Sequence, residues 1–268
     1  MTTVGGGAER LGRFERGFED TERAAAAALK SGSVLVSAAR ELQKSAADGD
    51  LAKLKRACDK LGLALENARQ ETANARSAWP FSAQEEEAYL NDGYQDELLS
   101  TAAAEGLRIE SRDNTLVAFP SLVRIIPSER AVKVDKKKVS AIRPSHLVAL
   151  LKTNQSKKSR FPSERFLEAL YKGYRLKVGR DGHGSTVALV DLYEAFTLLP
   201  GANAEYDQSD FGRDIFLLDS SGLTQTRAGT RFTLTASTAT KGGRGTFTFV
   251  GPTGETAVFS GIKFHSQS

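Results

Sequence analysis

A single cysteine, Cys58, excludes an intramolecular disulfide framework and a cysteine-only zinc site. The three histidines, His146, His183 and His265, lie far apart, and no His-x3-His pair points to zinc, so no metal is expected. No apolar run approaches the roughly 20 residues that span a bilayer. The opening, Met1 to Gly7, has no charged stretch followed by an apolar one, so no secretory signal and no membrane partner are expected. The expectation is a protein of the reducing cytoplasm. Phosphate-loop chemistry is missing too: Gly179-Arg180-Asp181-Gly182-His183-Gly184 precedes a helical pattern but lacks the lysine that such a loop needs. Glu110 and Asp113 have no Glu-x-Lys beside them to complete a metal-dependent nuclease centre. The chain reads as a non-enzyme without a cofactor.

What the sequence does have is a concentrated block of positive charge. The net charge is only +4, yet residues 121–180 hold sixteen lysines and arginines against four acids, while residues 81–120 hold two against nine. Such asymmetry points to a polyanionic partner more strongly than the overall balance does. The alternatives are a solvated basic surface, or one that pairs with the acidic stretch 81–105 of the same chain. The 40% apolar and 26% charged residues are those of a folded chain, and 268 residues suit two domains better than one.

Residues 8–77 read as a helical hairpin. Asp48-Gly49-Asp50 breaks the pattern, and Asp50 caps a second helix on which Leu51, Leu54, Cys58, Leu61 and Leu65 form one apolar stripe. Cys58 is therefore expected to be buried and inert. The stripe is narrow, so the hairpin is expected to bury against a second copy, a partner protein or its own middle domain. Ser82 and Glu85 form a capping-box pattern for a helix reaching Gly106, with Asn91–Gly93 a point of interruption. Short β-rich runs over 107–142, parted by Asp113–Asn114, Pro127–Ser128 and Asp135–Lys136, predict an antiparallel meander. Pro144–Ser145 opens a helix to about Thr153. Residues 154–162 read as a basic linker, giving domains at 1–80, 81–153 and 163–268.

In the last of these, Ser163 caps a helix carrying Phe166, Leu167, Leu170 and Tyr171. Ser185 or Thr186 opens a second helix through Leu199, and Asp207 or Ser209 a third with Phe211, Ile215, Phe216 and Leu218. Alternating strands follow at 231–235, 246–250 and 256–264. In element order, residues 163–265 resemble a winged helix-turn-helix domain, so the fold class expected is α+β: a helical hairpin, a β-meander with helices, and a winged-helix-like domain. The resemblance implies a third helix in the DNA major groove. This one departs from that pattern, with Asp207, Asp210, Asp214 and Asp219 against Arg213 alone. The wing, free of acids from 220 to 250, carries Arg227, Arg231, Lys241 and Arg244.

The expected function is a cytoplasmic subunit that binds DNA, or RNA, largely without regard to sequence. It would position a catalytic partner such as an ATPase or nuclease, and form a homo-oligomer through residues 8–77. Such chains resemble accessory proteins of bacterial genome-defence or DNA-maintenance systems. The candidate phosphate-binding residues are Arg130, Lys133, Lys136, Lys137, Lys138, Lys157, Lys158, Arg160, Lys172, Arg175, Lys177, Arg180 and Arg213, together with the four wing cations. Tyr174 is a candidate for stacking on a base, with Tyr171 assigned to the core. The alternatives are a protein-only adaptor, or an enzyme whose site has an unfamiliar pattern.

Overall fold

The computed structural model describes residues 12–112, 114–157, 161–179, 184–236 and 245–265. The fold is α+β and forms two compact units. The first unit spans residues up to Thr101 plus Ala141–Leu147; the second spans Ala102–Ser140 and Val148–Ser268.

In the first unit, α1 (Arg13–Ala47) and α2 (Leu51–Ser77) form an antiparallel hairpin. The buried or half-buried positions of α1 include the series Phe14, Gly17, Thr21, Ala24, Ala28, Ser31, Leu35, Ala38, Leu42 and Ser45. On α2 they are Leu54, Ala57, Leu61, Ala64, Ala68, Glu71 and Ala75. The alternating steps of three and four are those of a coiled-coil seam, filled here by small side chains that let the backbones approach closely. This corrects the apolar stripe read from sequence: Leu51, Cys58 and Leu65 lie outside the seam, and Cys58 is exposed. Counting leucines misplaces the seam by a fraction of a turn, because alanine fills it. Asp50 caps α2 as expected, accepting from the Lys53 amide at 3.0 Å.

The base of the hairpin is aromatic. Phe14, Phe18, Trp79, Phe81, Tyr89 and Tyr94 pack with ring centroids 4.7 to 6.4 Å apart. A Cβ on Gly17 would stand 3.0 Å from Phe81 and 3.1 Å from Trp79. Gly17→Leu is therefore expected to cost about 1–3 kcal/mol through overpacking, read as a lower urea midpoint at unchanged slope. The helix over 82–106 is two helices, α3 (Ala83–Asp92) and α4 (Tyr94–Ala104), parted at Gly93, and Ser82 with Glu85 makes the capping box. From α4, Glu97 accepts the amides of Phe14 (3.1 Å) and Glu15 (2.7 Å) and the Tyr89 hydroxyl (2.6 Å), so it caps α1 from a distant part of the chain. Glu15 in turn accepts from the amide and hydroxyl of Ser145, in the first turn of α5 (Pro144–Ser156), and pairs with Arg143 at 2.6 Å. Partial burial raises the Glu15 pKa, but the Ser145 and Arg143 contacts outweigh it and leave the carboxyl below its ordinary range.

In the second unit, β1 (Glu110–Arg112), β2 (Thr115–Ala118), β3 (Ser121–Ile126), β4 (Ala131–Val134) and β5 (Lys137–Val139) form the expected antiparallel meander in sequence order. The C-terminal elements are α6 (Ser163–Val178), β6 (Thr186–Ala188), α7 (Leu189–Phe196), α8 (Ala202–Glu205), α9 (Gln208–Asp219), β7 (Phe232–Ala236), β8 (Phe247–Val250) and β9 (Thr256–Phe264). Strands β6, β7 and β8 all pair antiparallel with β9. Residues 186–188, read from sequence as the start of a helix, are a strand: Thr186 pairs with Lys263 and Ala188 with Gly261. The sheet supplies backbone partners that outweigh helical propensity at this edge. Pro162, not Ser163, precedes α6, with no side-chain cap.

The compact units also fall elsewhere than the 81–153 and 163–268 boundaries. Val117 and Leu122 of the meander share one core with Leu167, Leu170 and Tyr174 of α6, Leu192 of α7, Phe211 and Ile215 of α9, and Phe264 of β9. The segment read as a linker begins inside α5, and residues 158–160 lie outside the described residues.

Candidate polyanion-binding face

Asp210, Arg213 and Asp214 of α9 face inward and are committed to one another and to the meander. Arg124 on β3 reaches Asp207 at 2.6 Å and Asp210 at 3.1 Å. Arg213 reaches Asp135 and Asp214 at 3.0 Å each, and Tyr206 donates to Asp214 at 2.8 Å. Asp210 Oδ1 stands 3.4 Å from Arg213 Nη2 and accepts no hydrogen bond. Burial pushes the carboxyls of Asp210 and Asp214 up in spite of these guanidiniums. Burial opposes the charge on Arg213 as well, but the surrounding carboxylates outweigh it and raise its pKa. The Arg213 side chain is only 12% exposed, so it is a fastener between α9 and the meander and not a base-reading residue. Asp219, lifted by partial burial, stands apart from this cluster.

Several other candidate cations make ion pairs within the chain. Lys138 meets Glu129 at 2.6 Å, and Lys133 meets Glu205 at 3.9 Å. Lys177 meets Asp191 at 3.8 Å, and Arg227 meets Glu164 at 3.3 Å while its amide donates to Glu168. Lys136 lies over the Tyr206 ring, 5.4 Å from its centroid. Arg130 is exposed at the end of a short 3-10 turn, Pro127–Glu129, with a left-handed φ of 46°. Lys158, Arg160, Arg180, Lys241 and Arg244 lie outside the described residues.

The outer face of α6 differs. Leu167, Leu170, Gly173 and Tyr174 turn into the core, which leaves Arg165, Lys172, Arg175 and Leu176 exposed. Positions 165 and 172 are two turns apart, about 10 Å along the axis, and 175 follows one turn later. None of the three cations is in an ion pair among the described residues. Lys172, Arg175, Leu176 and Gly179 line an open depression of about 490 Å³. Gly173 lets α7 pack close behind this face, since a Cβ there would stand 3.3 Å from Leu192. Lys137, Lys157 and Arg231 are also exposed and outside any ion pair among the described residues.

No protein family, curated protein or solved structure matches the chain.

Arg165 belongs to the basic block without standing out in it; its spacing of seven from Lys172 is the signal that places it on the same face. Tyr174, the stacking candidate, is fully buried, and its hydroxyl donates to the Ser185 carbonyl at 2.7 Å. Tyr171 is half-buried and packs on Phe264 at 4.8 Å. Among the described residues no three His, Cys, Asp or Glu are grouped to hold a metal ion, and no helix is long and apolar enough to cross a membrane.

Proposed function

We propose that this chain is a non-enzymatic subunit that holds the phosphate backbone of a nucleic acid on the outer face of α6. The observation that carries this reading is the set Arg165, Lys172 and Arg175: three exposed cations on one helical face, with no counter-ion among the described residues, where neighbouring cations are paired. Backbone charge would meet them without base recognition, since the one arginine of α9, Arg213, is held in ion pairs with Asp135 and Asp214.

Fluorescence anisotropy with a labelled duplex and a labelled single strand tests the reading across a salt series. Three phosphate contacts give a log–log slope near −3 for duplex, so a fourfold rise in salt weakens binding roughly 40-fold. The triple variant Arg165→Glu, Lys172→Glu, Arg175→Glu is expected to lose binding at unchanged helicity. Absence of binding by the native chain at low salt would sink the proposal.

A second reading rests on exposed leucines. Leu176, at 85% exposed, sits among the α6 cations, and Leu198 and Leu199 are also well exposed after α7. These side chains favour a protein-only adaptor with an acidic, partly apolar partner. Binding lost in Leu176→Ser and insensitive to salt would select this reading over the first.

A further inference from the structure

We infer that α1 carries a self-complementary outer face on which a second copy of this chain docks, α1 against α1 and antiparallel. Beside the seam that packs on α2, α1 has a second stripe with the same steps of three and four: Glu22, Ala25, Leu29, Gly32, Val36, Ala39 and Gln43. At its centre Leu29 is 75% and Val36 50% exposed. They line an open groove of about 710 Å³ together with Ala25, Ala28, Gly32, Ser33 and Arg40. A helix whose apolar stripe repeats at this spacing matches another helix of the same spacing.

Which helix fits is set by the order of large and small residues. A two-fold axis midway between Lys30 and Ser31 sets Leu29 opposite Gly32 of the other copy, and Val36 opposite Ala25. Each large side chain then meets a small one, and the two-fold makes both contacts twice, as an isologous interface requires. A Cβ on Gly32 would meet nothing within 4 Å, so the hollow that receives the leucine is open. The same register brings Arg40, which makes no ion pair among the described residues, beside Glu22 of the other copy, which is 71% exposed and would share its carboxylate between Arg40 and the Arg143 it meets at 2.7 Å in its own chain. Size and charge thus agree on one arrangement, and the occupant is the chain itself.

Sedimentation of the full chain, treated with nuclease so that nucleic acid does not bridge copies, reads the outcome. The expected result is a concentration-dependent dimer, weakened roughly tenfold or more by Leu29→Glu at unchanged circular dichroism. A second measurement fixes the register. In a Cys58→Ser background, Ala25→Cys with Val36→Cys is expected to give an oxidised covalent dimer, and Ala25→Cys alone is not. The two positions are about 16 Å apart along one helix, too far for a bond within a chain. A chain that stays monomeric at high concentration, a dimer that Leu29→Glu leaves intact, or a double variant that fails to cross-link would each overturn the inference. None of these results depends on nucleic-acid binding, so the two proposals fail separately.

Discussion

Replacing Arg213 by methionine is expected to destabilise the chain by about 3–5 kcal/mol. The guanidinium is buried and is shared by Asp135, Asp210 and Asp214. Methionine keeps much of the packing volume but leaves Asp214 in the interior without its counter-ion and Asp210 with Arg124 alone, and Asp210 already has an oxygen that accepts no hydrogen bond. The deficit has a pH signature. Burial lifts the folded-state pKa values of Asp210 and Asp214 above the ordinary aspartate value of 3.8. The folded chain therefore binds these protons more readily than the unfolded chain. The stabilisation from protonation grows as pH falls through the folded values, and is complete below the unfolded ones. Without Arg213 the folded values rise further, so the difference from the native chain should narrow on acidification. Urea titrations at neutral and mildly acid pH check this; a pH-independent deficit would assign the loss to packing alone. Adding Asp214→Asn to Arg213→Met should recover part of the loss, because it removes one of the stranded charges.

The second large effect is expected at Glu97. This carboxylate, 1% exposed, accepts the first amides of α1, and Gly12 at the N-cap has no side chain to share that role. Glu97→Ala strands the amides of Phe14 and Glu15, takes away the acceptor of the Tyr89 hydroxyl, and removes a negative charge from the positive end of a 35-residue helix. A cost of about 3 kcal/mol follows from losing charge-assisted hydrogen bonds in a buried setting. Glu97→Gln keeps an acceptor and should cost about half as much. Hydrogen exchange gives the specific readout: the Phe14 and Glu15 amides should lose protection in the alanine variant while the middle of α1 keeps it. Equal loss along the helix would mean that Glu97 acts through global stability and not as a cap.

Local signals were legible where the cause is local. The Asp50 cap, the capping box of Ser82 with Glu85, the interruption at Gly93 and the Asp207 cap of α9 each involve residues within four positions of one another. The meander was legible because turn residues alternate with β-branched runs. The site was legible only in part. The sequence shows the basic block, but lysines and arginines look alike until their neighbours in space are known. Glu129, Glu205, Asp191 and Glu164 take Lys138, Lys133, Lys177 and Arg227 out of the pool, and each of these pairings joins different elements or their ends.

Composition, charge distribution and the short-range patterns therefore determined the α+β class, the helical hairpin, the meander and the location of the positive charge along the chain. Only the tertiary structure decided which of those charges remain open. It turned α9 inward onto Arg124 and Asp135, made residues 186–188 a strand against β9, and placed an alanine seam where leucines had suggested one. The physical reason is common to all of these. A cap, a turn or a periodic stripe is set by interactions within one or two turns of chain, whereas ion pairing, sheet edges and the choice of buried face are settled by groups that folding alone brings together.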